Sequence, residues 1–174
     1  MSADGRARAP ALAGSEPRSP GNIRRALATR SRGATMRSLN ETMQANVAIA
    51  EQNDILRARS AGRDVARSLG FSTVDQTRLA TAISELARNA LNYAQGGQCT
   101  ISTSVQGDGR RTIRVVVEDQ GPGIADVALA LRPGFSSGGG FGQGLPAVRR
   151  LMDELTIDSA PGHTAVVTTM SRRT

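Results

Sequence analysis

The stretch ISELARNALNYAQGG, Ile83 to Gly97, decides the fold because it carries two kinds of side chain at helical spacing. Its polar residues Glu85, Asn89 and Asn92 fall on one face of a helix with about 3.6 residues per turn. The opposite face carries the apolar residues Leu79, Ile83, Leu86, Ala90 and Ala94. The stretch therefore predicts an amphipathic helix whose polar stripe is either solvated or part of a site.

The chain of 174 residues has the size of one domain with a tail. Its net charge of +7 is unevenly placed, because residues 1–45 contain eight arginines against three acidic residues. Residues 1–40 are rich in Ala, Arg, Ser, Gly and Pro and show no hydrophobic period, which predicts a disordered basic extension. A docking arm for a partner is the alternative interpretation. We expect a folded domain over residues 41–174.

The composition argues against several classes of protein. With no Trp, one Tyr and three Phe, the chain lacks the aromatic platforms on which nucleic-acid bases stack. The single cysteine, Cys99, cannot form an intramolecular disulfide and is expected to be a small strand residue. No apolar run reaches the length of about 20 residues that a membrane helix needs. We therefore expect a cytoplasmic protein without a membrane partner. Nucleic-acid binding, which only the Arg-rich tail suggests, is a minor alternative.

Hydrophobic periodicity predicts five strands, two long helices and one shorter helix. The chain order is a strand over 42–50, helices over 54–69 and from 72 or 73 to about 96, strands over 99–105 and 112–119, a helix over about 145–154, and strands over 155–160 and 164–170. The middle pair and the last pair of strands each read as an antiparallel hairpin. The fold class that follows is an α/β (α+β) two-layer sandwich with helices on one face of the sheet.

Two glycine-containing segments suggest contacts with a nucleotide. In EDQGPGI, Asp119 ends a strand and precedes Gly121 and Gly123, which suits a carboxylate accepting from the amino group of adenine. A plain turn is the alternative. In GFSSGGGFGQGLPAVRR, from Gly134 to Arg150, glycine amides lead into a helix and could wrap an anion. The chain has no lysine, so this would be a phosphate cradle other than the P-loop.

Four segments, in this order, resemble the motifs of the GHKL (Bergerat-fold) ATP-binding family. SELARNALNY resembles its N-box, DQGPGI its first glycine box, GGGFGQGLP its lid box and GHT its last box, one residue short. The similarity is greatest to anti-sigma-factor-type serine/threonine kinases, the RsbT-like switch kinases, and spans about Asn46 to Met170. It implies a mixed, mostly antiparallel sheet.

The resemblance implies a role for individual residues. Glu85 would act as the general base toward the hydroxyl that receives the phosphoryl group, and Asn89 would coordinate magnesium. Asp119 would select adenine, while Gly121 and Gly123 would let the base approach. The remaining ATP contacts would come from Gly138, Gly139, Gly140, Gly142, Gly144, Leu145 and Thr164, and Arg88 would contact a phosphate or a partner.

The function implied by the resemblance is a magnesium-dependent protein serine/threonine kinase that uses ATP to phosphorylate a STAS-domain antagonist in partner-switching control of transcription. The alternative is an ATP-gated module that holds a sigma factor or activates a phosphatase with little catalysis. Glu85 favours the kinase, because a pure binder does not require a base.

Overall fold

A five-stranded sheet organises the computed structural model, which describes residues 41–132 and 144–173. The predicted extension over residues 1–40 lies outside the described residues. The described strands are β1 (Thr42–Ile49), β2 (Gly97–Val105), β3 (Arg110–Asp119), β4 (Glu154–Ala160) and β5 (His163–Arg173). The described helices are α1 (Gln52–Ser68), α2 (Thr73–Ala94), α3 (Val127–Ala130) and α4 (Gly144–Leu151).

The strand order is β1-β2-β3-β5-β4, and all four pairings among the described strands are antiparallel. This confirms the prediction of a mostly antiparallel sheet, and both predicted hairpins, β2–β3 and β4–β5, are present. Because β5 inserts between β3 and β4, the end of β3 lies beside the start of β5. The DQGPGI motif at the end of β3 and the GHT motif at the start of β5 are therefore neighbours.

One face of the sheet is apolar and packs beneath the helices. Alternate residues of the central strands point toward that face, as period-2 side-chain geometry requires. They are buried together with the inner sides of α1, α2 and α4 and include Cys99, Ile101, Ile113, Val115, Val117, Val166 and Met170. Burial raises the pKa of the Cys99 thiol to about 12, which agrees with its predicted place as a small strand residue.

Helix α2 lies at the centre of the helical layer, in contact with α1, α4 and the first three strands. It begins as predicted, because the Ser72 hydroxyl accepts a hydrogen bond from the Asp75 amide at 3.1 Å. Its predicted apolar stripe is buried at Leu79, Ile83, Leu86 and Ala90. Among the described residues, no helix is long and apolar enough to cross a membrane.

Several element bounds differ from the sequence prediction. Helix α4 ends at Leu151, three residues earlier than expected, because β4 already begins at Glu154. Helix α1 begins at Gln52, two residues earlier than expected, because the Asp54 carboxylate accepts hydrogen bonds from the amides of Ala50 and Glu51. The one-turn helix α3 was not predicted. Its cap is Asp126, which accepts a hydrogen bond from the Leu129 amide at 2.9 Å.

An ionic network joins the start of α2 to the end of β5. Arg172 donates to both oxygens of Asp75, at 2.7 and 3.1 Å, and to Asp153 at 2.9 Å. The side chain of Asp75 is only 12% exposed. Hydrogen bonding to Arg172 is the main cause that holds the pKa of Asp75 below its ordinary value.

We expect Asp75→Asn to lower the free energy of unfolding at pH 7 by about 1–3 kcal/mol, because it breaks a charge-assisted, largely buried contact. The lowered pKa of Asp75 stabilises the fold above the unfolded-state pKa, and this contribution is lost as pH falls through the folded-state pKa. The difference between native protein and variant should therefore shrink below about pH 4. Urea unfolding at several pH values measures this difference in the free energy of unfolding.

The matched control is Asp64→Asn, which breaks the exposed Asp64–Arg67 pair of α1. This control should change the unfolding free energy by less than about 0.5 kcal/mol. Equal effects of the two substitutions would show that the network around Arg172 does not hold α2 to the sheet.

Candidate active site

The polar stripe of α2 meets the first residue of α4. A Cβ atom placed on Gly144 would lie 3.2 Å from both terminal atoms of the Asn89 amide and 3.6 Å from Oε2 of Glu85. Both side chains are half-buried. The structure thus brings together Glu85, Asn89 and Gly144, three residues that the sequence assigned to the site from two distant motifs.

Asn92, the third polar residue of the stripe, is exposed. The stripe is therefore divided: its first two residues face α4, while its last residue lies at the surface.

A second cluster forms where β3, β5 and β4 lie side by side. The antiparallel register places Asp119 directly opposite Thr164, and Thr164 directly opposite Ser159. Thr164 is buried, and its hydroxyl lies 2.9 Å from that of Ser159. The Ser159 hydroxyl also accepts a hydrogen bond from the Ile124 amide at 2.8 Å. The first and last glycine motifs are thus tied together by one serine.

Close backbone approach holds the first glycine motif against α2. A Cβ on Gly121 would lie 2.6 Å from the Cβ of Ala94, so this position requires glycine. The Gly121 carbonyl accepts a hydrogen bond from the Gly162 amide at 2.9 Å. Gly123 has a φ of 81°, and a Cβ there would lie 2.5 Å from the carbonyl oxygen of Ala160. The glycines of this motif therefore fix the loop between α2 and the last hairpin.

Asp119 keeps one carboxylate oxygen available at this cluster. Its Oδ1 accepts a hydrogen bond from the Gly121 amide at 3.0 Å. No described residue donates a hydrogen bond to Oδ2. A half-buried carboxylate with one oxygen fixed and the other unused can accept from a ligand amino group.

Helix α2 connects the two clusters. Glu85 belongs to the cluster at the start of α4, and Ala94 touches the cluster at the ends of β3 and β5. The two residues are nine positions apart, which at about 1.5 Å per residue is about 14 Å along the helix. The shortened last motif does not disturb this arrangement, because Pro161 and Gly162 form the two-residue turn of the β4–β5 hairpin. Gly162 has a φ of 87°, as the second central position of a type II turn requires.

The described residues cover the lid motif only in part. Gly138, Gly139, Gly140 and Gly142 lie outside them. Gly144 and Leu145 are the first residues of α4, and the Leu145 side chain is buried in the core. Leu145 could therefore meet a ligand only through its backbone, at the positive end of the helix dipole.

One contributor to the site went unnoticed in the sequence. Ser159 occupies the third inward-facing position of β4, after Leu155 and Ile157. A hydroxyl at a position where the strand alternation predicts an apolar side chain could have marked it as a candidate site residue. Arg88, expected to contact a phosphate or a partner, donates to Oε1 of Glu85 at 2.5 Å, a contact that the sequence did not predict.

A cavity of about 640 Å³ has Asp119 among its lining residues. Its lining also includes Ala94, Gln98, Glu118 and His163, the last of which is exposed as expected. Glu85 and Asn89 are not among the residues that line it.

Comparison with known proteins identifies the family to which these motifs belong. Residues 74–173 match the family described as histidine kinase-, DNA gyrase B-, and HSP90-like ATPase. The chain belongs to this family. The GHKL resemblance, the Bergerat-type fold and the use of ATP predicted from the sequence are thereby confirmed.

The relatives of this GHKL chain include a serine/threonine-protein kinase and an anti-sigma factor. It is 50% identical over 119 residues to the serine/threonine-protein kinase RsbT of Bacillus subtilis (strain 168), which covers 68% of this chain and 89% of the relative. It is 29% identical over 133 residues to the anti-sigma F factor of Caldanaerobacter subterraneus subsp. tengcongensis, covering 74% and 91%.

A solved structure of the RsbU and RsbW domains of Rv1364c from Mycobacterium tuberculosis is similar in fold. The identity is 22% and the TM-score 0.50, and the match covers 74% of this chain and 33% of that one.

We expect Gly121→Ala to lower ATP affinity at least tenfold while the protein stays folded. The new methyl group would collide with Ala94 and lie 3.1 Å from Oδ1 of Asp119, so the loop that positions this carboxylate must move. Gly107→Ala is the matched control, because a Cβ there meets no atom within 4 Å. Calorimetric titration with ATP measures the affinities, and equal values for both variants would contradict the proposed geometry.

We expect Gly144→Ala to weaken binding of ATP with magnesium without lowering the free energy of unfolding. Gly144 is not among the glycines with a positive φ, so alanine introduces no backbone strain there. Its methyl group would, however, press on the Asn89 amide. The readouts are thermal unfolding and ATP titration with and without magnesium. Native affinity in the presence of magnesium would place Asn89 outside the ATP site.

Proposed function

We propose that this GHKL chain transfers the γ-phosphoryl group of ATP to a serine or threonine hydroxyl of a STAS-domain antagonist protein, with Glu85 as the base. The enzyme class itself is confirmed: the chain is a serine/threonine protein kinase of the partner-switching type. The observation that carries the proposed mechanism is the position of Glu85, whose Oε2 faces the start of α4 beside the Asn89 amide.

The transfer step needs one proton acceptor. The substrate hydroxyl oxygen forms a bond to the γ-phosphorus, and the bond from that phosphorus to the β–γ bridging oxygen breaks. The hydroxyl proton moves to the Glu85 carboxylate, and the electron pair of the broken bond leaves with ADP. Phosphoryl transfer depends mainly on positioning and charge stabilisation, so one well-placed carboxylate suffices on the protein side.

The cluster at the ends of β3 and β5 supports a proposed adenine pocket. Oδ2 of Asp119 is unused by the described residues and can accept from the adenine amino group. Thr164 lies opposite Asp119 and is held by Ser159, so its hydroxyl is oriented before a ligand arrives. Gly121 keeps the loop close to the end of α2, and Gly123 keeps it close to the end of β4.

The Asn89 amide on α2, which faces the start of α4, is suited to a magnesium ion that enters with ATP. No group of three or more His, Cys, Asp or Glu side chains in the described ranges could hold a metal ion. Magnesium at nucleotide sites commonly takes one or two protein ligands, with phosphates and water completing its shell. We propose Asn89 as that ligand, and the ion would supply charge neutralisation at the phosphates when bound.

The lid motif is the proposed source of the remaining phosphate contacts. We propose that backbone amides from Gly138 to Gly144 contact the phosphates, together with the amide of Leu145. The catalytic unit is residues 41–174, and its proposed location is the cytoplasm, where its substrate ATP is available. A sigma factor or a phosphatase is the proposed further partner once the antagonist has been modified.

The direct test is phosphate transfer from labelled ATP, with magnesium, to purified STAS-domain proteins of the source organism. We expect the native protein to label at least one of them. Glu85→Gln should bind ATP with native affinity but transfer at least about 100-fold more slowly, because a general base contributes about 10²–10⁴-fold. Asp119→Ala should lose both ATP binding and transfer.

Asp158→Ala serves as the matched carboxylate control, since Asp158 is exposed on the face of β4 opposite to that of Ser159. It should retain binding and transfer. A Glu85→Gln variant with native transfer rate would refute the assigned base. Tight ATP binding without labelling of any STAS-domain protein would instead support the ATP-gated module that holds a sigma factor or activates a phosphatase.

A further inference from the structure

The Arg88 side chain forms an ion pair with the proposed base. Its Nη1 donates to Oε1 of Glu85 at 2.5 Å, three residues earlier on the same face of α2. The Arg88 side chain is 47% exposed and that of Glu85 26% exposed. The pair thus spans the boundary between the surface and the junction of α2 with α4.

The Arg88–Glu85 ion pair contributes little to the free energy of unfolding, so stability alone does not explain why these two residues are paired. Ion pairs at this spacing on a helix surface stabilise by about 0.2–0.5 kcal/mol. The chain offers a direct comparison in Arg67 and Asp64 of α1, which have the same spacing and the same 2.5 Å distance. Their side chains are 68% and 63% exposed. Of these two pairs, only Arg88–Glu85 has a half-buried carboxylate, and it lies at the junction of α2 with α4.

The two oxygens of Glu85 have different surroundings. Arg88 holds Oε1, whereas Oε2 is the oxygen near the Cβ position of Gly144. A carboxylate fixed at one oxygen by a guanidinium has its rotation about the last side-chain bond restricted. The same contact therefore decides which oxygen faces the start of α4.

We propose that Arg88 is a positioning residue, which fixes Glu85 so that Oε2 is the oxygen that accepts the substrate hydroxyl proton. This inference rests on the proposed role of Glu85 as base. Arg88 itself contacts neither ATP nor the protein substrate, and its contribution is to the rate of transfer. Loss of the guanidinium leaves the carboxylate present but free to rotate, so fewer complexes have it correctly placed.

The test compares Arg88→Met, Arg88→Lys and the control Arg67→Met. We measure phosphate transfer to the STAS-domain substrate under saturating ATP, with ADP formation followed in the same reactions so that transfer to water is also counted. We expect Arg88→Met to lower kcat about 10- to 100-fold. The KM for the protein substrate and the affinity for ATP should not change.

Arg88→Lys should recover part of the rate, because an ammonium group can reach one carboxylate oxygen but lacks the planar fork of arginine. Arg67→Met, which breaks the matched pair on α1, should behave as native protein. Circular dichroism and thermal unfolding should be unchanged for all three variants, since each pair contributes little to folding.

Three outcomes would overturn the inference. A native kcat for Arg88→Met shows that Glu85 needs no such support. A raised KM for the protein substrate with native kcat makes Arg88 a partner contact, and weakened ATP binding makes it a phosphate contact.

Glu85→Gln, measured in parallel, separates this inference from the proposed function. If Glu85→Gln keeps the native rate, the assigned base is wrong. If Glu85→Gln is inactive while Arg88→Met is native, only the positioning role is wrong.

Discussion

The packing of the apolar side of α2 onto the sheet is the constraint on which the rest of the structure depends. Ile83, Leu86 and Ala90 are buried in the core, so the helix cannot rotate without exposing them. With that side fixed, the positions of Glu85 and Asn89 are fixed as well, because side chains three and four residues apart share a face. A polar stripe at helical spacing thus becomes a pair of side chains aimed at the start of α4.

Close approach adds precision to this arrangement. A Cβ on Gly97 would lie 2.4 Å from the carbonyl oxygen of Glu118, and one on Gly121 would meet Ala94. The first contact holds the start of β2 against the end of β3, and the second holds the loop after β3 against the end of α2. The register of β3 with β5 then sets Asp119 opposite Thr164 without any further adjustment. Sheet pairing and helix packing therefore place the two clusters of proposed site residues on one scaffold, with Glu85 and Ala94 about 14 Å apart along α2.

Much of this could be predicted from the sequence, because the signals were periodic or local. The stripe of α2, its Ser72 cap and the two hairpins follow from spacing and turn chemistry. The one-turn helix α3 gave no such signal, since four residues are too few to show a period. Its only cue was the capping residue Asp126.

The sequence did not predict which side chains of the site contact one another. Arg88 could have faced a phosphate, a partner or Glu85 from the same helical position, and rotamer choice between them depends on neighbours that spacing does not reveal. The meeting of Gly144 with Asn89 depends on how α4 packs on α2, a tertiary contact between residues 55 positions apart. The roles of the site residues remain predictions of chemistry built on that geometry.

The most direct test of the central claim is the side-chain amide resonance of Asn89, followed by NMR on the labelled full chain during titration with ATP. If the stripe of α2 and the start of α4 form the phosphate end of the ATP site, this resonance shifts with ATP and magnesium. It should shift less with ATP and a chelator. An Asn89 amide that stays unmoved while ATP binds would contradict the account, because the nucleotide would then occupy another part of the molecule.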